Sequence, residues 1–144
     1  MRLPTFLFLL CSLPAGLACA ASNLIIDNAT VRQPLPGKTV SAGYFTVTNP
    51  TAQPLQIVAA SSSWFGKTEL HQHSMVDGMM RMEQIKQIEV APGATVHLQP
   101  GGLHLMLFRP SQQLELGQQV PLQIQLASGE VLTVSAVVTR IPKQ

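Results

Sequence analysis

The chain has 144 residues, enough for one domain with its own hydrophobic core. Its nine lysine and arginine residues nearly balance seven aspartate and glutamate residues, and charged residues make up only 11% of the sequence. Because it has no run of basic residues and no basic amphipathic segment, the sequence argues against a nucleic-acid-binding or membrane-surface protein.

The first twenty residues have the features of a signal peptide. Arg2 precedes an apolar run that two prolines interrupt, and Ala18-Cys19-Ala20 has the small-x-small form of a signal-peptidase site. The apolar run is too short for a comfortable transmembrane span. We therefore expect export, removal of residues 1–20 and one mature domain over residues 21–144.

Both cysteines, Cys11 and Cys19, lie within this N-terminal segment. Cleavage after Ala20 leaves a mature domain without a thiol, which excludes disulfides, zinc–thiolate sites and a cysteine nucleophile. Any metal must then be held by histidine, methionine or carboxylate side chains. Lipidation of Cys19 is the alternative to this cleavage, although Gly16 occupies a position where lipoprotein signals usually carry a large aliphatic residue.

From Leu24 onward, short segments rich in apolar and β-branched residues alternate with turn residues, and no helical period is evident. Turn signals include Asp77-Gly78, typical of a hairpin, and Ser128-Gly129. The spacing predicts eight or nine strands in an all-β antiparallel β-sandwich or Greek-key barrel. The predicted strands are Leu24–Arg32, Val40–Thr48, Leu55–Ala60, Lys67–His73, Met80–Val90 (one long strand or two), Thr95–Gln99, Leu103–Phe108, Val120–Leu126 and Val131–Ile141.

Candidate metal ligands concentrate between residues 71 and 106. All four histidines lie in this window, together with every methionine after the initiator. Since side chains two apart on a strand share a face, His104 and Met106 are predicted to project together, and His71 and His73 form a similar pair. A methionine from the intervening hairpin is expected to close the site.

The mixture of imidazole and thioether groups indicates copper. Imidazole nitrogen binds several first-row metals, but a thioether is soft and selects Cu(I) over zinc, magnesium or calcium. Thioethers also cannot be lost to disulfides, as thiolates are in an oxidising compartment. Because they carry no charge, they are expected to hold copper less tightly than two thiolates, which suits a protein that passes its metal on.

The spacing of these residues resembles the signature of the PCu(A)C family of periplasmic copper chaperones. That signature is His, ten residues, Met, twenty-one residues and then His-x-Met. Here ten residues separate His71 from Met82, and twenty-one separate Met82 from His104-Leu105-Met106, without a gap. The similarity covers residues 24–139 and includes the flanking segments Glu69-Leu70, Asp77-Gly78 and Pro100-Gly101-Gly102.

The resemblance implies a cupredoxin-like β-sandwich that binds Cu(I) through His71, Met82, His104 and Met106. It also implies a periplasmic carrier, not an enzyme, whose partner is apo cytochrome c oxidase subunit II (the CuA centre) or a thioredoxin-like copper chaperone. One departure follows the last ligand, where the chain reads Leu107-Phe108-Arg109-Pro110 instead of the Gly-Leu step of the family. We therefore expect a different loop beside the site.

Other polar residues in the window have two interpretations. His73 is an additional ligand or, as we prefer, an exposed strand residue. Glu69 accepts the second ring N–H of His71 or, as we prefer, is an exposed strand carboxylate. His97 is expected to face solvent.

Three of the remaining methionines and two N-terminal residues are less informative. Met75, Met79 and Met80 form a route into the site or a partner-facing surface, or else they pack within the hairpin. Arg32 and Tyr44 are expected to have structural roles at a strand end and in the sandwich.

Three alternatives to a chaperone remain. Copper sequestration for tolerance uses the same ligands and differs in having no acceptor. A copper redox protein is disfavoured because a blue-copper site needs a thiolate with two histidines. A metal-free structural sandwich predicts that replacing Met82 and Met106 with leucine changes no measured property.

Overall fold

The computed structural model describes residues 23–140, and within this range the chain forms ten β-strands and no helix. The predicted signal peptide and both cysteines lie outside the described residues. The strands are β1 (Ile25–Arg32), β2 (Val40–Thr48), β3 (Leu55–Ser61), β4 (Phe65–Val76), β5 (Met79–Gln84), β6 (Ile88–Val90), β7 (Thr95–Leu98), β8 (Leu103–Pro110), β9 (Gln119–Leu126) and β10 (Val131–Thr139).

The strands follow the predicted segments closely, although β4 and β8 are longer than predicted. The predicted segment Met80–Val90 is two strands, because β5 pairs with β4 whereas β6 crosses to pair with β3, Leu55 opposite Val90. Strand β4 begins earlier and ends later than predicted, since it pairs with β5 on one side and β8 on the other.

The hairpin between β4 and β5 is the tight turn that its sequence predicts. Val76 pairs with Met79, so Asp77 and Gly78 are the whole connection. Both residues have positive φ angles, 51° and 75°, as in the type I′ turn that suits the twist of a hairpin. Aspartate and glycine are residues that adopt this left-handed conformation at little cost.

The described strands form one hydrogen-bonded sheet in the order β5-β4-β8-β7-β2-β1-β10-β9-β3-β6. The predicted all-β fold is confirmed, and most neighbouring strands are antiparallel as expected. Two pairings are parallel instead: β1 with β10, Val31 opposite Val138, and a single pair between β7 and β8.

The sheet is folded so that buried side chains from both of its halves share one hydrophobic core. On β8, Leu105 and Leu107 are fully buried in this core, as the alternation of the strand predicts. Burying such side chains contributes about 1.5–3 kcal/mol each to folding. The largest fully buried residues are Phe45, Ile57, Leu105, Leu107, Leu122, Ile124 and Leu126.

Strand β8 continues through the segment where a different loop was expected. Lys67 pairs with Phe108 and Phe65 with Pro110, so the pairing with β4 reaches the end of the strand. Arg109 has a φ of 54°, a left-handed conformation that favours glycine, and its N–H donates to the carbonyl of Thr39 over 2.7 Å.

In residues 23–140 there is no helix with the length and apolarity needed to cross a membrane.

Candidate metal centre

Strand register places all four predicted ligands on one face of three adjacent strands. His71 on β4 lies directly opposite His104 on β8, and Met106 follows His104 by two residues. Met82 on β5 lies opposite His73, which is two residues from His71. Because cross-strand partners and residues two apart share a face, the four side chains project from the same side of the sheet.

A cavity of about 250 Å³ opens on this face. Three of the four predicted ligands line it, namely Met82, His104 and Met106. The second histidine of the wall is His73, and His71 is not part of the lining. The His71 ring lies beside this wall, with its centroid 5.9 Å from that of His104. The structure therefore brings two thioethers and His104 together in one cavity, with two further imidazoles adjacent to His104.

His104 is buried, and one of its ring nitrogens is hydrogen-bonded. Its side chain is buried, only 3% exposed, and its Nδ1 donates to the carbonyl oxygen of Gly102 over 2.9 Å. Burial lowers the pKa of the His104 imidazole, the Gly102 hydrogen bond opposes that shift, and the neighbouring His73 and His71 lower the pKa further. The lowered pKa favours the neutral ring, and the hydrogen bond to Gly102 places its proton on Nδ1, which leaves a lone pair on Nε2.

His71 is oriented by a carboxylate. Its Nε2 donates to Glu69 Oε2 over 2.8 Å, and Lys67 forms an ion pair with the same carboxylate. The hydrogen bond from Lys67, and after it that from His71, lowers the pKa of the Glu69 carboxyl. The side chain of Glu69 is only 10% exposed, so the preferred interpretation of this residue as an exposed strand carboxylate is wrong. Glu69 instead occupies Nε2 of His71 and leaves the lone pair of Nδ1 unused within the described residues.

His73 differs from the exposed strand residue that we preferred. It is partly buried, its ring centroid lies 5.0 Å from that of His104, and it lines the cavity. Within the described residues, Nδ1 of His73 and Nδ1 of His71 are both buried and have no hydrogen-bond partner. Buried polar atoms without a partner are few in folded proteins, and a bound ion is one explanation for them.

The donors gathered here are of mixed type. Across the described residues, no group of three or more histidine, cysteine, aspartate or glutamate side chains is arranged to hold a metal ion. The cavity instead combines imidazole nitrogen with thioether sulfur, a set that suits Cu(I).

Comparison with known proteins identifies the family. A family model described as LpqE-like, a lipoprotein family by its description, matches residues 24–138. The chain belongs to the LpqE-like family. This LpqE-like protein is 29% identical over 100 residues to a protein of Leifsonia xyli named as a lipoprotein, Lxx21020, and 32% identical over 80 residues to RP573 of Rickettsia prowazekii. The matches cover 69% and 55% of this chain, but only 60% and 44% of the two relatives.

Solved structures with the same fold are PCuAC domains, so the resemblance predicted from the ligand spacing is confirmed. The copper-bound PCuAC domain from PmoF2 superposes with a TM-score of 0.69 at 22% identity, covering 82% of this chain and 93% of that domain. Cu(I)-bound DR1885 from Deinococcus radiodurans has a TM-score of 0.62 at 29% identity, covering 87% and 83%. Apo-DR1885 has a TM-score of 0.67 at 25% identity, covering 99% and 97%.

Three further methionines of the described residues do not line the cavity. Met75, Met79 and Met80 are 68%, 58% and 62% exposed, and Met75 lies opposite Met80 in the hairpin, so they form an exposed surface there. His97 is exposed as expected, with Nδ1 3.2 Å from Oγ1 of Thr46.

Two wall residues had been assigned purely structural roles. Arg32 and Tyr44 both line the cavity, together with residues of the β1–β2 connection such as Leu35. Tyr44 is two residues from Ala42 on β2, and Ala42 pairs with Met106. Since residues two apart on a strand share a face, the alternation of β2 places Tyr44 on the face of Met106. No local signal predicts that the β1–β2 connection covers this face, because that contact depends on tertiary packing.

Proposed function

We propose that this protein is an exported Cu(I) carrier that binds one ion through His71, Met82, His104 and Met106. The observation that supports this most directly is the meeting of Met82, His104 and Met106 in one cavity, although they come from two strands separated by twenty-one residues of chain. The same fold holds copper in the PmoF2 domain and Cu(I) in DR1885.

The chemistry of the donors favours the reduced ion. Two thioethers add no charge to the cavity, and soft sulfur prefers Cu(I) to zinc or calcium. A buried, neutral His104 needs no deprotonation before it binds.

The exposure of the site favours transfer over permanent retention. Met82 is 48% exposed on an edge strand, whereas His104 is buried, so an incoming ligand can displace the outer thioether first. Ligand exchange of this kind moves the metal without releasing it to solvent. We propose the apo CuA centre of cytochrome c oxidase subunit II, or a thioredoxin-like copper chaperone, as the acceptor.

Export is part of the proposal. The family description and the Leifsonia relative are both named as lipoproteins, and lipoproteins are exported. That name supports a periplasmic location and keeps lipidation of Cys19 as the alternative to cleavage after Ala20. We propose a carrier role, without catalysis, in that compartment.

A Cu(I) titration against a competing chromogenic chelator tests the site. The mature domain is compared with Met106→Leu, which keeps side-chain volume but removes the sulfur, and with His104→Ala. We expect one tightly bound ion and a loss of affinity of at least about tenfold in each variant. His97→Ala is the matched control, an exposed histidine that should leave the affinity unchanged. Binding by Met106→Leu at the wild-type level would contradict the proposed ligand set.

A second measurement tests the direction of transfer. The Cu(I)-loaded protein is mixed with an apo CuA domain, and the copper content of each is measured after separation. If the acceptor takes up copper faster from the loaded protein than from a Cu(I)–chelator complex, the carrier role is supported. Retention of copper by the LpqE-like protein would instead indicate sequestration.

A further inference from the structure

We infer that His73 is a further copper ligand in this chain, a nitrogen donor that shares the cavity with Met82, His104 and Met106. The inference rests on the proposed function, since it concerns the same ion. It adds a residue that lies outside the His-x10-Met-x21-His-x-Met spacing.

Strand register brings His73 to the cavity. His73 lies directly opposite Met82 in the β4–β5 pairing, and cross-strand partners have Cβ atoms about 5 Å apart. On its other side, the His73 backbone N–H donates to the carbonyl of Gly102 over 3.2 Å. The same carbonyl accepts the Nδ1–H of His104, so one loop residue positions both histidines.

The ring of His73 is closer to His104 than the ring of His71 is. The centroid distances are 5.0 Å and 5.9 Å, and the His73 and His104 rings are inclined by 31°. His73 lines the cavity wall with the two thioethers, whereas His71 lies beside it, bound through Nε2 to Glu69.

His73 has one ring nitrogen without a hydrogen-bond partner among the described residues. Its Nδ1 is buried and has no hydrogen-bond partner in the described part of the chain. A buried ring nitrogen without a partner is unfavourable, and coordination to Cu(I) satisfies it. Three imidazoles, those of His71, His73 and His104, and two thioethers are then available to the ion.

Cu(I) binding by two single variants and a spectroscopic readout test the inference. His73→Gln keeps a polar side chain of similar size but removes the imidazole, and His73→Ala removes the ring altogether. We expect both to weaken Cu(I) binding by at least about tenfold, as much as His71→Ala does. His97→Ala is the control for loss of an exposed histidine.

The direct readout is the ring ¹⁵N chemical shift of His73 in the wild-type protein, which needs no variant. Cu(I) is diamagnetic, so the Nδ1 resonance can be followed as Cu(I) is added, and we expect it to shift together with that of His104. Unchanged affinity in His73→Gln, or an unmoved His73 resonance while the wild type binds Cu(I), would overturn the inference but not the proposed function. Absence of Cu(I) binding by the wild type would overturn the proposed function itself.

Discussion

His104 shows how a single side chain combines core packing with ligand chemistry. It is nearly as buried as Leu105, which follows it, yet it projects to the opposite face of β8. One ring nitrogen is satisfied by the Gly102 carbonyl, which fixes the tautomer, and the other is left for the cavity. Burial therefore contributes to stability and to the neutral, metal-binding state at once.

Arg109 has a backbone conformation that residues with a Cβ atom rarely adopt. Its φ of 54° is left-handed, which costs a residue with a Cβ about 1–2 kcal/mol. Arg109→Gly removes that strain but adds a similar loss of chain entropy on folding, so we expect stability to change by less than about 1 kcal/mol. Arg109→Val places a β-branched side chain in the same conformation and should destabilise the protein by about 1–2 kcal/mol. The free energies of unfolding of the wild type, Arg109→Gly and Arg109→Val are compared by urea unfolding.

The control for Arg109→Val is the same residue introduced elsewhere in the sheet. Gln125 is an exposed residue of β9 without a positive φ, and Gln125→Val should be neutral or slightly stabilising because valine suits a strand. Equal destabilisation by both valines would show that the φ of Arg109 is not the cause.

At the scale of elements, the β4–β5 hairpin determines where Met82 lies. β5 is an edge strand whose residues are all exposed, so its position depends on pairing with β4 and on the turn between them. Gly78 has a φ of 75°, and a Cβ added there meets no atom within 4 Å, so only backbone strain opposes substitution. We expect Gly78→Val to lower the hydrogen-exchange protection of β5 and to weaken Cu(I) binding several-fold, measured by NMR and chelator competition.

Gly129 offers a matched control in the other hairpin. It has a φ of 91° in the β9–β10 connection, again with no atom within 4 Å of an added Cβ. Gly129→Val introduces comparable strain in a connection whose residues do not line the cavity with Met82, His104 and Met106, so Cu(I) affinity should stay at the wild-type level. If Gly129→Val weakened Cu(I) binding as much as Gly78→Val, the effect would be general destabilisation and not loss of Met82 positioning.

At the scale of the whole molecule, Asn49 links strands that are far apart in the sheet order. It is fully buried after the end of β2, and its amide donates to the carbonyls of Val90 on β6 and Gln53 over 2.9 and 2.8 Å. Its Oδ1 accepts from the backbone and side chain of Thr51. Because Asn49→Ala leaves several of these buried groups without partners, we expect a loss of about 2–4 kcal/mol in the free energy of unfolding, measured with urea.

The neighbouring residue provides the comparison for Asn49→Ala. Thr48 makes an exposed hydrogen bond to Thr95, and Thr48→Ala should cost less than about 1 kcal/mol. Asn49 lies at the opposite end of β2 from Ala42, which faces Met106, so the Cu(I) affinity of folded Asn49→Ala should remain unchanged. A loss of affinity without a loss of stability would contradict a purely structural role.

The sequence by itself determined the features that depend on neighbouring residues. The alternation of Leu105 and Leu107 with His104 and Met106 follows from the two-residue period of a strand, and the structure places these residues on the predicted faces. The Asp77-Gly78 turn follows from the φ angles that these residues tolerate. The ligand spacing indicated the fold that the PCuAC domains share.

Only the tertiary structure decided which side chains meet across strands. The hydrogen-bonded side chains of Glu69 and His71 lie on a face of β4 beside which β8 pairs. The sequence of β4 alone does not reveal this neighbour and therefore predicts an exposed carboxylate. The position of His73 against Met82 and His104 depends on the register of β4 with two other strands. Strand alternation is a steric property of each residue and is visible in the sequence. Strand register and the packing of a connection are set by contacts between distant segments, and these exist only in the folded chain.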